Sequence, residues 1–140
     1  MNTSDRWTLP GSDEKTIFGN THHPEGAPVG VMLICHGFKG YKDYGFLPHV
    51  AGAAAERGFV AHRFNFSHSG MTHTIETFER PDLFERDTWS KQIIDLHCVS
   101  RAVSTGQLTG QGLPCIWFGH SRGGVTALLT AREAFEQTNN

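Results

Sequence analysis

Apolar residues in this chain gather into short unbroken runs separated by stretches of helical spacing. The run "VGVMLIC", 29–35, is continuous and partly β-branched, which suits a strand covered on both faces. "FVAHRFNF", 59–66, is the next strand, and "LPCIWFG", 113–119, reads as another buried strand. Between them lie three helical patterns. In "GFLPHVAGAAAERG", Pro48 suits a first turn, the alanines an interior and Gly58 a stop. In "DTWSKQIIDLHCVSRAVSTG", Trp89, Ile93, Leu96, Val99 and Val103 recur at helical spacing, with Asp87 or Thr88 as cap and Gly106 as terminator. In "RGGVTALLTAREAFEQ", the spacing predicts that Val125, Leu128, Leu129 and Phe135 face the core. Two weaker strands precede all of these, around Arg6–Leu9 and Lys15–His22, with "PGSDE" as the turn between them. The segment 67–87 has no period and is long for a plain connection, so a lid-like role is expected of it.

Strand, helix, strand, helix, strand, helix predicts right-handed crossovers. The fold class is α/β: a mostly parallel sheet with flanking helices. Sites in such sheets form where strands end at their carboxyl edge. Two chemically suggestive stretches fall there: "HGF" after 29–35 and "GHSRGG" after 113–119.

Length and composition narrow the picture. With 140 residues, 38% hydrophobic and 19% charged, this is globular sequence of at most one domain. A net charge of −2 leaves no basic footprint for nucleic acid or an anionic membrane. The first residues lack the apolar core of a signal peptide, and no apolar run approaches the roughly 20 residues of a membrane span. Cys35, Cys98 and Cys115 are odd in number and widely spaced, which predicts reduced, mostly buried thiols in a cytoplasmic protein. The nine histidines show no metal-ligand spacing with carboxylates, so no metal is expected.

The chemistry rests on Gly119-His120-Ser121-Arg122-Gly123, a G-x-S-x-G pattern. By composition alone about one such chain in ten would contain it. Its setting between a predicted strand and a predicted helix is what a nucleophile elbow requires. Side chains at 119 and 123 would collide with the neighbouring strand and helix, and Gly124 permits close helix–sheet approach. The elbow would expose Ser121 as a nucleophile, and the N–H groups of Phe38 and Arg122 would point at the developing oxyanion. His36 and Gly37 complete the upstream motif, His36 as a brace for the loop. Lys39, Tyr41 and Lys42 follow it and are candidates to line a substrate entrance. Asp95, Glu76, Glu79, Asp82 and Glu85 read as solvated or loop acids.

Over roughly residues 8–137, "VMLICHGFKGYKDYGFLPHVAGAAAERGFVAHRFNFSHSG…WFGHSRGG" resembles the N-terminal half of an α/β-hydrolase. The group it is most similar to comprises serine esterases, serine-aminopeptidase-like and dienelactone-hydrolase-like proteins. The dienelactone enzymes use cysteine where this chain has Ser121. The resemblance implies an eight-stranded sheet ordered 1-2-4-3-5-6-7-8, of which residues 1–140 supply five strands and the first helices: an incomplete α/β-hydrolase fold. It implies hydrolysis of a small-molecule acyl ester or amide without a cofactor. In that family the acid and histidine follow the serine, and no histidine or aspartate follows Ser121 here. The chain therefore reads as truncated and inactive by itself. Among the histidines upstream, His68 and His73 are the only serious substitutes for the missing base. The other reading is a non-catalytic fragment or truncated paralogue that is inactive or docks a partner. In either case the edge of the 113–119 strand would be bare, and self-association through it is expected.

Overall fold

The computed structural model describes residues 4–138. Strand β1 (Ser4–Pro10) and β2 (Thr16–His22) form a hairpin, joined through a 3-10 turn at Ser12–Glu14. Then follow β3 (Gly30–Cys35), α1 (Leu47–Glu56), β4 (Phe59–Phe64), the short α2 (Pro81–Phe84), α3 (Trp89–Ser104), β5 (Cys115–Gly119) and α4 (Arg122–Thr138). The five strands make one sheet in the order β1-β2-β4-β3-β5. It is a mixed sheet: β4, β3 and β5 run parallel, while β1–β2 and β2–β4 pair antiparallel.

Local signals explain most of these boundaries. Pro48 sits in the first turn of α1 and the left-handed Gly58 follows its end. Thr88, not Asp87, caps α3, its hydroxyl accepting from the Lys91 N–H at 3.2 Å. Gly106, at φ +82°, follows the last turn of that helix.

Two clusters form the core, one on each face of the sheet. On one face Val31, Leu33, Val60 and Phe64 meet Leu96, Val99 and Val103 of α3. On the other, Ile34 and Ala61 meet Leu47, Ala51 and Ala54 of α1. The strand expected from "VGVMLIC" is thus covered on both sides.

Several expectations fail. β5 is not a buried strand. It is the edge of the sheet, and Ile116 is 46% exposed. α4 buries Gly123, Thr126, Ala127 and Thr130, whereas Val125, Leu128, Leu129 and Phe135 are exposed. The turn before α4 sets the helix's rotation, so apolar spacing does not decide which face turns inward. Thr126 repays its burial by donating to Gln92 Oε1 at 2.7 Å, and Thr130 by donating to the Thr126 carbonyl, also at 2.7 Å. Asp95 is buried, because it accepts from the N–H and hydroxyl groups of both Ser12 and Ser67 at 2.8–3.0 Å. Its place beside Gln92, Leu96 and Val99 on the inner face of α3 was a signal for this. Finally, Cys35 alone of the three thiols is buried. Cys98 is half-buried and Cys115 exposed, all three being free. No helix among the described residues is long and apolar enough to cross a membrane.

Candidate active site

The end of β5 runs directly into α4 through a turn centred on Ser121. The chain reverses there by placing Ser121 at φ +54°, a region that strains any side chain. The turn survives because the backbone is packed too tightly to relax. A Cβ at Gly119 would meet the Gly123 carbonyl and Gly124 N at 2.5 Å. A Cβ at Gly123 would run into the carbonyl oxygens of Cys35 and His36 at the end of β3. The His120 N–H donates to the Cys35 carbonyl at 3.1 Å, tying the turn to the same strand end. Ser121 stands exposed at the carboxyl edge of the sheet and lines an open hollow of about 530 Å³ with Trp117, Val125 and Leu128.

The loop after β3 meets this turn. A Cβ at Gly37 would lie 3.3 Å from Ser121 Cβ and 3.1 Å from the His120 carbonyl. Among the described residues, neither the Phe38 N–H nor the Arg122 N–H has a hydrogen-bond partner. Two free amides therefore sit on the two segments that converge beside Ser121.

His36 holds the loop in place. Its Nε2 accepts from the Phe66 N–H at 3.0 Å, so Nδ1 carries the proton and donates to the Gly37 carbonyl at 2.9 Å. Burial is the main reason its pKa falls to about 4. Further along, the Lys42 N–H donates to Asn65 Oδ1 at 2.6 Å. Arg63 donates to Asp43 at 2.7 Å, to the Lys42 carbonyl at 3.2 Å and to His22 Nε2 at 2.9 Å. Burial works to raise the Asp43 carboxyl, but bonds from Lys42 and Arg63 outweigh it and hold it below the usual carboxylate range. Lys42 is thus a buried anchor rather than part of an entrance. Lys39 and Tyr41 do line a hollow, described below.

Arg122 carries a second set of contacts that the sequence did not announce. Its guanidinium lies over the rings of Phe38 (5.8 Å) and Trp89 (5.0 Å) and pairs with Asp87 at 3.3 Å. Trp89, placed in the core by helical spacing, is instead about half exposed at this contact. Asp87 also accepts from Gln92 at 2.8 Å, and burial raises its carboxyl. The cluster fastens the first residue of α4 to the start of α3.

The structure brings Ser121, Arg122, Gly37 and Phe38 together, with His36 behind them. It does not bring a base. No imidazole hydrogen-bonds to Ser121 Oγ among the described residues. His68 is engaged with Ser67 at 2.8 Å and faces Asp13 at 3.5 Å. His73 packs edge-on against Phe18 at 5.0 Å. His120 turns its ring edge to Phe46 at 4.9 Å. Among the described residues no group of three or more His, Cys, Asp or Glu is placed to hold a metal.

A five-stranded sheet in this order, with a strained serine turn after β5, is the α/β-hydrolase fold over its first five strands. No family model matches the chain, and no curated protein matches it. Solved structures do. A cold-adapted esterase from an Arctic intertidal metagenomic library matches at 21% identity and TM-score 0.71, over 91% of this chain and 54% of its own. Dienelactone hydrolase from Anabaena variabilis matches at 23% and 0.73, over 95% and 59%. An α/β serine hydrolase homologue from Coxiella burnetii matches at 21% and 0.68, over 98% and 59%. The chain spans only a little over half the length of these three structures.

Proposed function

We propose that this chain carries the nucleophile half of a serine hydrolase acting on carboxylic esters or small acyl amides. Ser121 Oγ attacks the substrate carbonyl and forms an acyl-Ser121 ester. The serine proton passes through a base to the departing alcohol or amine. Water then cleaves the acyl-enzyme, releasing the acid and restoring the hydroxyl. The N–H groups of Phe38 and Arg122 receive the oxyanion, where loss of one such donor typically costs about 3–4 kcal/mol of transition-state stabilisation. The observation that carries this reading is Ser121 itself, exposed at φ +54° beside two unpaired amides. Unpaired amides on the two segments that meet at a strained, exposed hydroxyl suit acyl transfer.

The base and its acid would come from polypeptide outside these 140 residues. The decisive experiment is to read the coding sequence past Asn140 and express the longer product. Further βα units with an aspartate and a late histidine, and ester hydrolysis that disappears with Ser121→Ala, are expected. The 140 residues alone should turn over p-nitrophenyl esters little or not at all. Turnover by them that is lost on Ser121→Ala would overturn the need for an outside base.

A second reading is a non-catalytic fragment that docks a partner. The apolar exposure of Ile116, Val125 and Leu128 favours it. A stop codon after Asn140, with no coding sequence resuming beyond it, would move this reading ahead.

A further inference from the structure

Lys39 occupies a position that backbone energetics would assign to glycine. Residues 37–40 form a turn closed by the Gly40 N–H donating to the Gly37 carbonyl at 2.9 Å. Lys39 is its third residue and has φ +60°. A turn of this kind puts its third residue in the left-handed region, where glycine pays nothing and lysine is strained. Strain of this kind persists at sites where the side chain is wanted.

Two features lie beside Lys39. It lines a hollow of about 270 Å³ together with Tyr41, Ser69, Met71, Phe78 and Phe84. The wall is mainly apolar, half of its residues are aromatic, and it contains no carboxylate. Among the described residues no acid lies within ion-pair distance of the Lys39 ammonium, which is 5.6 Å from the Phe38 ring centroid. The Phe38 ring in turn lies 5.7 Å from Phe84 and reaches Arg122 on the other side. A continuous wall thus runs from this hollow past Phe38 to the serine turn.

We infer that the hollow takes a compact, flat apolar group of the substrate, and that Lys39 selects substrates whose apolar group carries a negative charge. The class is an ester or amide of the half-ester type, such as one carboxyl of an aromatic dicarboxylic acid esterified and the other free. The volume suits one ring with a short substituent rather than a long acyl chain. The inference rests on the reading that Ser121 meets the substrate carbonyl, but its test does not use catalysis.

Binding of monomethyl terephthalate and of methyl benzoate to the full chain is measured by ligand-observed NMR titration. The charged ester is expected to bind about tenfold tighter, as befits one charge-assisted hydrogen bond. Lys39→Gly should abolish that preference while raising the melting midpoint, because it relieves the turn. A purely structural role would not separate those two effects. Lys39→Gln should also abolish the preference, without the gain in stability. Equal binding of the two esters, no binding of either at millimolar concentration, or a preference that survives both substitutions would each overturn the inference. Ser121→Ala should leave the preference intact. Failure of the catalytic reading therefore shows in ester hydrolysis by the longer product, and failure of this inference shows in the charge preference.

Discussion

The β3–loop–α1 unit and the β5–turn–α4 unit are built from similar sequence and end in opposite conditions. Both pair an apolar strand with a helix that begins beside a glycine-containing turn. β3 lies between two strands and under helices on both faces, so Val31 and Leu33 have no exposure. β5 has a neighbour on one side only, and α4 presents Leu128 at 74% exposure. Burial here follows from neighbours and not from composition. The difference also bears on chemistry. The closed unit supplies a rigid loop, and the open unit supplies the strained serine held against it.

Paired substitutions test the contrast most severely. Leu33→Ala should cost about 2–5 kcal/mol in urea unfolding, since it leaves a cavity in a closed core. Leu128→Ala should change stability by no more than about 0.5 kcal/mol. A large loss at Leu128 would mean that the outer face of α4 is covered in solution.

Acid should weaken the packed part of the sheet, on β2 and β4 and in the loop after β3. His22, His36 and His62 all have pKa values lowered to about 4, chiefly by burial, from 6.5. Between those limits the unfolded chain binds protons that the native chain does not. Their contribution is therefore complete above pH 6.5 and drains away as pH falls toward 4. His36 and His62 would each contribute up to about 3 kcal/mol of that loss. Asp87 and Asp95, raised by burial, act in the opposite sense and flatten the acid end. Urea midpoints at pH 7, 6 and 5 should decline steadily; a flat series would mean that these imidazoles do not dominate the acid response.

The open half should respond in smaller ways. Ser121→Gly relieves the left-handed strain and should stabilise the chain by about 1 kcal/mol while removing the nucleophile. No change in the midpoint would mean that the turn is not strained. Ile116→Lys should leave stability within about 0.5 kcal/mol and reduce association at high concentration, because a charge on an edge strand discourages pairing. Light scattering that shows a monomer before and after the substitution would remove the edge as an association site.

Much of this was legible from sequence, and the exceptions share a cause. Strand runs, the Pro48 start, the glycine stops and the G-x-S-x-G turn are local matters. They depend on backbone sterics and on residues within one turn of each other. The hydrogen-bond role of Asp95 was half-visible, since its helical position placed it inward. Asp87 beside Arg122 carried no sequence signal, because 35 residues separate them.

By itself the sequence determined which segments are strands and helices, where the serine turn falls, and which glycines that turn demands. Local propensity and steric exclusion suffice for those. Only the tertiary structure decided that the apolar residues of β5 and α4 stay exposed. The packing of Gly123 against the end of β3 set the rotation of α4, turning threonine and alanine inward and leucine outward. Only the fold joined the Phe38 loop to Ser121, because β3 and β5 become neighbours through hydrogen bonds between residues some eighty positions apart.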